Sequence, residues 1–337
     1  MTTAAIFGLA GPELTAGERA FLREARPWGL ILFARNIASA PQLRRLVEEA
    51  RAAVGRACPV LIDQEGGRVA RLRPPLAHAF PPAAEDAARP AARRLFHLRG
   101  RIIAHDLGRF GIDVNCAPLA DLGLPGTHAV LRDRCYGADP ASVAANARAM
   151  AEGLAQGGVL PVLKHIPGHG GVAVDSHAAL PRQPAGGTVL AAHFAPFRAL
   201  ADLPLGMTAH VVYPALDAAR PATLSPLVID HVRREIGFDG LLMSDDISMG
   251  ALWGDVARRS AAARAAGCDL VLHCNGDLAE MEEVARAAGP LDAAARRREA
   301  ALARWRAMAD AAGDVDMGAL IAEYEALRQR GPEQRRP

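Results

Sequence analysis

Eight short apolar runs, each bounded by Gly, Pro or a polar residue, constrain what this 337-residue chain can become more than any other feature. They fall at 4–8, 29–33, 60–62, 114–117, 159–163, 205–208, 240–243 and 270–273. Ala-rich stretches of helical character separate most of them, at 40–54, 91–110, 140–157, 190–201, 227–236 and 257–266. Continuous apolar runs suit strands buried on both faces, and strands alternating with helices predict a parallel sheet joined by right-handed crossovers. Polar residues then choose between an open sheet and a closed one. Arg35 and Asn36, Asp63 to Glu65, Asp121, Lys164 and His165, His210, Asp245 and Asp246, and Asn275 follow runs two to eight. An open sheet gathers its chemistry at one switch point, whereas a barrel turns every strand end toward one mouth. The expected fold is α/β, a single (β/α)8 TIM barrel over 1–312, with a C-terminal helix at 313–329 packed on it and a disordered tail at 330–337.

Thirty-nine basic residues against 37 acidic ones leave a net charge of +2, which gives no electrostatic reason to expect nucleic acid or an anionic membrane as partner. The apolar segment 4–10 lacks a basic lead and is too short for a signal core or a membrane span, so a cytoplasmic protein is expected. Five cysteines without a CxxC pair argue against a disulfide framework or a zinc site. Nine Phe, three Trp and three Tyr are too few for a long aromatic platform, which favours a pocket for a small or terminal group. No long exposed apolar stripe is evident, and a monomer is expected.

The segment 164–177 concentrates Lys164, His165, His169, Asp175 and His177 in a Gly/Pro-rich loop behind the fifth apolar run. Asp175 and His177, two apart, suit a turn in which the carboxylate fixes the imidazole tautomer and raises the basicity of the other ring nitrogen. A helix-capping aspartate is the simpler reading of that tripeptide. Lys164 at the mouth suits a hydroxyl-rich ligand, although a structural ion pair with a neighbouring strand would use the same lysine. Alternation predicts that Lys164 and His165 face opposite ways, and likewise Asp245 and Asp246, so that one aspartate of the pair enters the mouth. A carboxylate there, with an acid/base on a loop, completes a double-displacement pair. Asp63 and Arg71 bracket two glycines and can grip hydroxyls or an amide, or form a surface ion pair. Arg134 taken alone reads as a solvated arginine.

Together the segments KHIPGHG at 164–170 with DSH at 175–177, DQEGGRVAR at 63–71 and SDDISMGA at 244–251 closely resemble glycoside hydrolase family 3, in particular its bacterial cytoplasmic β-N-acetylglucosaminidases of peptidoglycan recycling. The similarity runs from about 29 to 270, with Ile166 and Cys135 standing where the family usually has Phe and Ser. The resemblance implies a (β/α)8 barrel and a retaining hydrolase that removes terminal, non-reducing N-acetylglucosamine from muropeptide-derived disaccharides, without a cofactor or metal. It implies Asp245 as nucleophile, His177 as acid/base with Asp175 as its partner, and Asp63, Arg71, Arg134, Lys164 and His165 as sugar-binding residues. The rival enzyme reading is a metal-dependent, amidohydrolase-like barrel using His165, His169, Asp175 and His177 as ligands. A non-catalytic sugar-binding barrel should lack the nucleophile or the dyad, and this chain carries both.

Overall fold

The computed structural model describes residues 1–172, 180–183, 186–313 and 315–330. Eight parallel strands close into a barrel: β1 (Thr3–Gly8), β2 (Pro27–Leu32), β3 (Val60–Ile62), β4 (Val114–Asn115), β5 (Leu160–Ile166), β6 (Leu205–Thr208), β7 (Leu241–Asp246) and β8 (Leu270–His273). Each strand pairs with its sequence neighbours, and β8 returns to β1 through Ala5 and Val271. All eight apolar runs are strands. The fifth and seventh continue past the apolar residues into Lys164 and His165 and into Asp245 and Asp246, which carries the polar side chains on the barrel's own frame.

The helices are α1 (Ala16–Ala25), α2 (Ala40–Val54), α3 (Ala92–Gly108), α4 (Pro140–Gln156), α5 (Gly187–Ala199), α6 (Pro226–Arg234), α7 (Val256–Ala266) and α8 (Leu278–Ala288). Local signals set their ends. Thr15 and Glu18 form a reciprocal capping box on α1, Ser39 and Gln42 do so on α2, and Asp139 caps α4 ahead of a proline in its first turn. Gly55 closes α2 in the left-handed region, at φ +75°. Gly100 on α3 and Gly153 on α4 let those helices touch backbone to backbone: a Cβ on Gly100 would lie 2.5 Å from the Met150 carbonyl oxygen.

The stretch 291–312 is two helices, α9 (Ala293–Ala300) and α10 (Ala303–Ala312), hinged where Leu302 buries its side chain. α10 packs on α4, and α11 (Met317–Gln329) packs on α3. Tyr324 of α11 is buried and donates to Asp86 Oδ2 at 2.6 Å. Residues 331–337 of the expected tail lie outside the described residues. Among the described residues no helix is long and apolar enough to cross a membrane.

Candidate active site

The mouth of the barrel holds a pocket of about 350 Å³ whose lining includes Asp63, Arg71, Arg134, Lys164, His165, His169, Asp245 and Asp246. Every sequence-proposed residue that lies among the described ones reaches this pocket. Asp175 and His177 lie outside the described residues.

One side is a chain of alternating charges. The Gln64–Gly66 and Val69–Ala70 strands form a hairpin directly after β3, and Gln64 Oε1 accepts from Arg71 N and Leu72 N at 2.9 and 3.0 Å. That clamp folds Arg71 back so that Nη2 donates to Asp63 Oδ2 at 3.0 Å. Lys164 Nζ donates to Asp63 Oδ1 at 3.0 Å and lies 2.7 Å from Glu65 Oε1. Arg134 then grips Glu65 with both ends of its fork, at 2.9 and 2.8 Å. Burial alone would raise the Asp63 carboxyl, but Lys164 and Arg71 hold it well below the usual carboxylate range. Glu65 is likewise pulled to about 2, against burial, by Arg134 and Lys164. Lys164 stays charged: burial opposes that, and the two carboxylates outweigh burial. Arg134 is therefore a partly buried ion-pair partner and not the solvated arginine that its loop suggested.

Glu65 was named from the sequence only as a polar residue after the third run, without a role, yet it joins two residues that were given one. A signal existed: Asp63 and Glu65 are two apart in an extended segment, which places both carboxylates on one side. Arg99 of α3 fixes the backbone there, donating to the Glu65 carbonyl from Nε and Nη2 at 3.0 and 2.8 Å.

Asp121, the polar residue after β4, was also left without a role. It is fully buried and accepts from His165 Nδ1 at 2.7 Å and His169 N at 2.6 Å. A buried carboxylate can only accept, so Nδ1 of His165 carries the proton and Nε2 remains for a ligand. Burial would raise the Asp121 carboxyl, and His165 keeps it lowered.

The loop after β5 is anchored at both ends. Tyr213 donates to the Gly168 carbonyl at 2.7 Å, Gly171 N donates to Thr127 Oγ1 at 2.9 Å, and Gln183 Nε2 donates to the Gly170 carbonyl at 2.8 Å. Gly170 packs its α-carbon against the Leu122 backbone with no room for a Cβ. Substituting it therefore disturbs this packing.

Strict alternation fails at both polar strand ends. Lys164 and His165 line the same pocket, joined by a cis peptide, and the β5–β6 register shifts between Leu163 and Ile166. Asp245 and Asp246 both border the pocket too, where the β7–β8 register shifts between Met243 and Asp246. Their bonding separates them. Asp246 accepts from Ser248 N and Oγ at 3.1 and 2.7 Å and from Cys274 N at 3.1 Å, which ties the β7 and β8 loops together. Asp245 accepts only from Asp246 N, at 2.8 Å, among the described residues. Burial would raise its carboxyl, but His210, His165 and Lys164 leave it lowered and ionised. His210 donates from Nε2 to the Asp246 carbonyl at 2.9 Å and pairs its Nδ1 with Thr223 Oγ1 at 2.8 Å.

Two of the four ligands of the metal-site alternative, Asp175 and His177, lie outside the described residues, and His165 turns Nδ1 to Asp121. Among the described residues no group of three or more His, Cys, Asp or Glu side chains is arranged to hold a metal ion.

Residues 10–306 match the N-terminal domain of glycosyl hydrolase family 3. A β-hexosaminidase of Alkalilimnicola ehrlichii is 42% identical over 280 residues, covering 80% of each chain. The structure of NagZ from Neisseria gonorrhoeae in complex with N-trifluoroacetyl-D-glucosamine superposes with a TM-score of 0.84 at 31% identity, covering 97% of this chain and 98% of that one. A family 3 β-N-acetylglucosaminidase from Paenibacillus sp. str. FPU-7 gives 0.85 at 29% identity, over 96% of this chain and 67% of the other.

Proposed function

Because the chain belongs to glycosyl hydrolase family 3, we propose that this β-N-acetylhexosaminidase cleaves terminal, non-reducing N-acetylglucosamine from N-acetylglucosaminyl-anhydro-N-acetylmuramic acid, with or without its peptide. The observation that carries the mechanism is the Asp245 carboxylate: ionised, at the pocket, and bonded to one backbone N–H among the described residues.

In this reading the Asp63, Arg71, Lys164, Arg134 and His165 side bonds the sugar hydroxyls and holds the anomeric carbon over Asp245. An Asp245 oxygen attacks that carbon as protonated His177 donates to the leaving glycosidic oxygen, and Asp175 steadies the imidazolium. The neutral His177 next takes a proton from water, and the water oxygen displaces Asp245 with net retention. A neutral imidazole, as left after the first step, also spares the departing muramic carboxylate the repulsion of a second carboxylate. The proposal includes a cytoplasmic monomer acting without cofactor.

Release of nitrophenol from 4-nitrophenyl N-acetyl-β-glucosaminide tests this, using wild type, Asp245→Ala and His177→Ala with and without EDTA. Chelator-insensitive release that needs both residues is expected. Release abolished by EDTA and restored by metal would overturn the mechanism in favour of the metal-dependent barrel.

A further inference from the structure

Two arginines on α3 have opposite fates. Arg99 is fully buried and saturated, donating to Asp86 Oδ2 at 2.7 Å, to the Pro81 carbonyl at 2.7 Å and to the Glu65 carbonyl. Arg101 is only 8% exposed, yet among the described residues it has no hydrogen bond and no ion pair. A guanidinium does not shed its proton in a protein, and none of the Arg101 guanidinium nitrogens is closed off from solvent, so its charge opens onto the adjoining cavity.

Arg101 lines a cavity of about 350 Å³ on the outside of the helical layer, walled by α3, the end of α4, α10 and α11. This cavity shares no lining residue with the mouth pocket. The other polar groups in it are already engaged. Arg94 is held by Glu323 through both ends of its fork, at 2.8 and 2.7 Å. His97 faces Gln156 Oε1 from Nε2 at 3.0 Å and Arg94 Nη1 from Nδ1 at 3.1 Å. Arg94 can only donate, so Nδ1 of His97 accepts and the ring is neutral. Among the described residues, one positive charge in the cavity has no ion-pair partner, that of Arg101. Met308, Ala311, Ala312 and Leu320 supply an apolar wall.

We propose that this cavity is a binding site for a small amphipathic monocarboxylate, its two oxygens on the Arg101 guanidinium and its apolar chain against Met308 and Leu320. The planar fork matches a carboxylate's two oxygens. A single free guanidinium balances one negative charge and not two, which favours a monocarboxylate over a phosphate. The volume is at the lower end of the range for small-molecule sites. Such a ligand would supply a counter-charge that the described residues do not.

Calorimetric titration of the full-length protein with hexanoate and with its neutral counterpart hexanamide tests the site. Wild type should bind hexanoate saturably at one site and hexanamide at least tenfold more weakly. Arg101→Met should weaken hexanoate binding at least tenfold while keeping glycosidase activity, which shows that it is folded. Ala312→Phe, which fills the cavity from the opposite wall with Arg101 intact, should do the same. Saturating hexanoate should leave the KM for the chromogenic substrate unchanged, since the mouth is elsewhere. Absence of saturable binding to wild type, equal affinity for hexanamide, or undiminished affinity in Arg101→Met would each overturn the site.

Discussion

At the end of β3 the Asp63 carboxylate is spoken for by Lys164 and Arg71, whereas at the end of β7 the Asp245 carboxylate has, among the described residues, one backbone N–H and histidines nearby. Both are ionised and both face one pocket. The difference lies in what each has left to give. Saturated by two cations, Asp63 is a poor nucleophile, but it holds Lys164 and Arg71 rigidly for a ligand, so that little ordering entropy is lost on binding. Asp245 keeps lone pairs free for a carbon. On the proposed function, one rim of the mouth serves recognition and the other bond-making.

The sharpest way to break this contrast is Asp245→Asn. Its kcat should fall on the order of 10⁴-fold, with the melting temperature within about 2 °C of wild type, because among the described residues Asp245 forms no ion pair. A variant that keeps a tenth of the activity would remove Asp245 from the covalent step. Asp63→Asn should invert the pattern. It strands Arg71 and leaves Lys164 with Glu65 alone, so urea unfolding should report a loss of about 4 kcal/mol, in the range for breaking a buried pair. Its activity defect should appear in KM more than in kcat.

An effect of up to about 3 kcal/mol is expected from pH. The folded protein holds the Glu65 carboxyl near about 2, below its ordinary 4.5. Its ionised form therefore contributes fully above about pH 4.5, and that stability is lost as the pH falls from there toward about 2. Unfolding free energies measured at pH 5, 4 and 3 should fall more steeply for wild type than for Glu65→Gln. Parallel curves would mean that Arg134 and Lys164 do not depend on Glu65. Smallest is Asp246→Asn, which weakens bonds to Ser248 and Cys274 in a turn. About 1 kcal/mol of stability and roughly tenfold in kcat should go, the latter through a misplaced Asp245. A loss as large as that of Asp245→Asn would exchange the roles of the two neighbours.

The barrel was legible because continuous apolar runs such as 205–208 and 270–273 have few other places to go, and helix caps such as Ser39 and Asp139 mark the segments between them. Its strand-end chemistry was legible as motifs. Two things were not. Asp121 stands 44 residues from the His165 it orients, and nothing local marks such a partner. The second is register: an alternating strand assigns neighbours to opposite faces, and the shifts at Leu163–Ile166 and Met243–Asp246 bring both members of each pair to the pocket. Glu65 lies between these cases, visible as a two-residue spacing from Asp63 but meaningful only once Lys164 is seen between them.

The frame around the loop after β5 has an engineering consequence. Asp121 and Thr127 hold the outgoing chain at His165, His169 and Gly171, His128 N donates to the Val172 carbonyl at 3.0 Å, and the returning chain pairs Gln183 N with the Val212 carbonyl at 2.8 Å. Both splice points are thus defined by groups that belong to the barrel and not to the intervening sequence. Residues 173–179 can be treated as a cassette: a segment of equal length from a relative, grafted between Val172 and Leu180, would meet the same two barrel-held ends, so that the proposed role of His177 can be tested by exchange without redesigning the host.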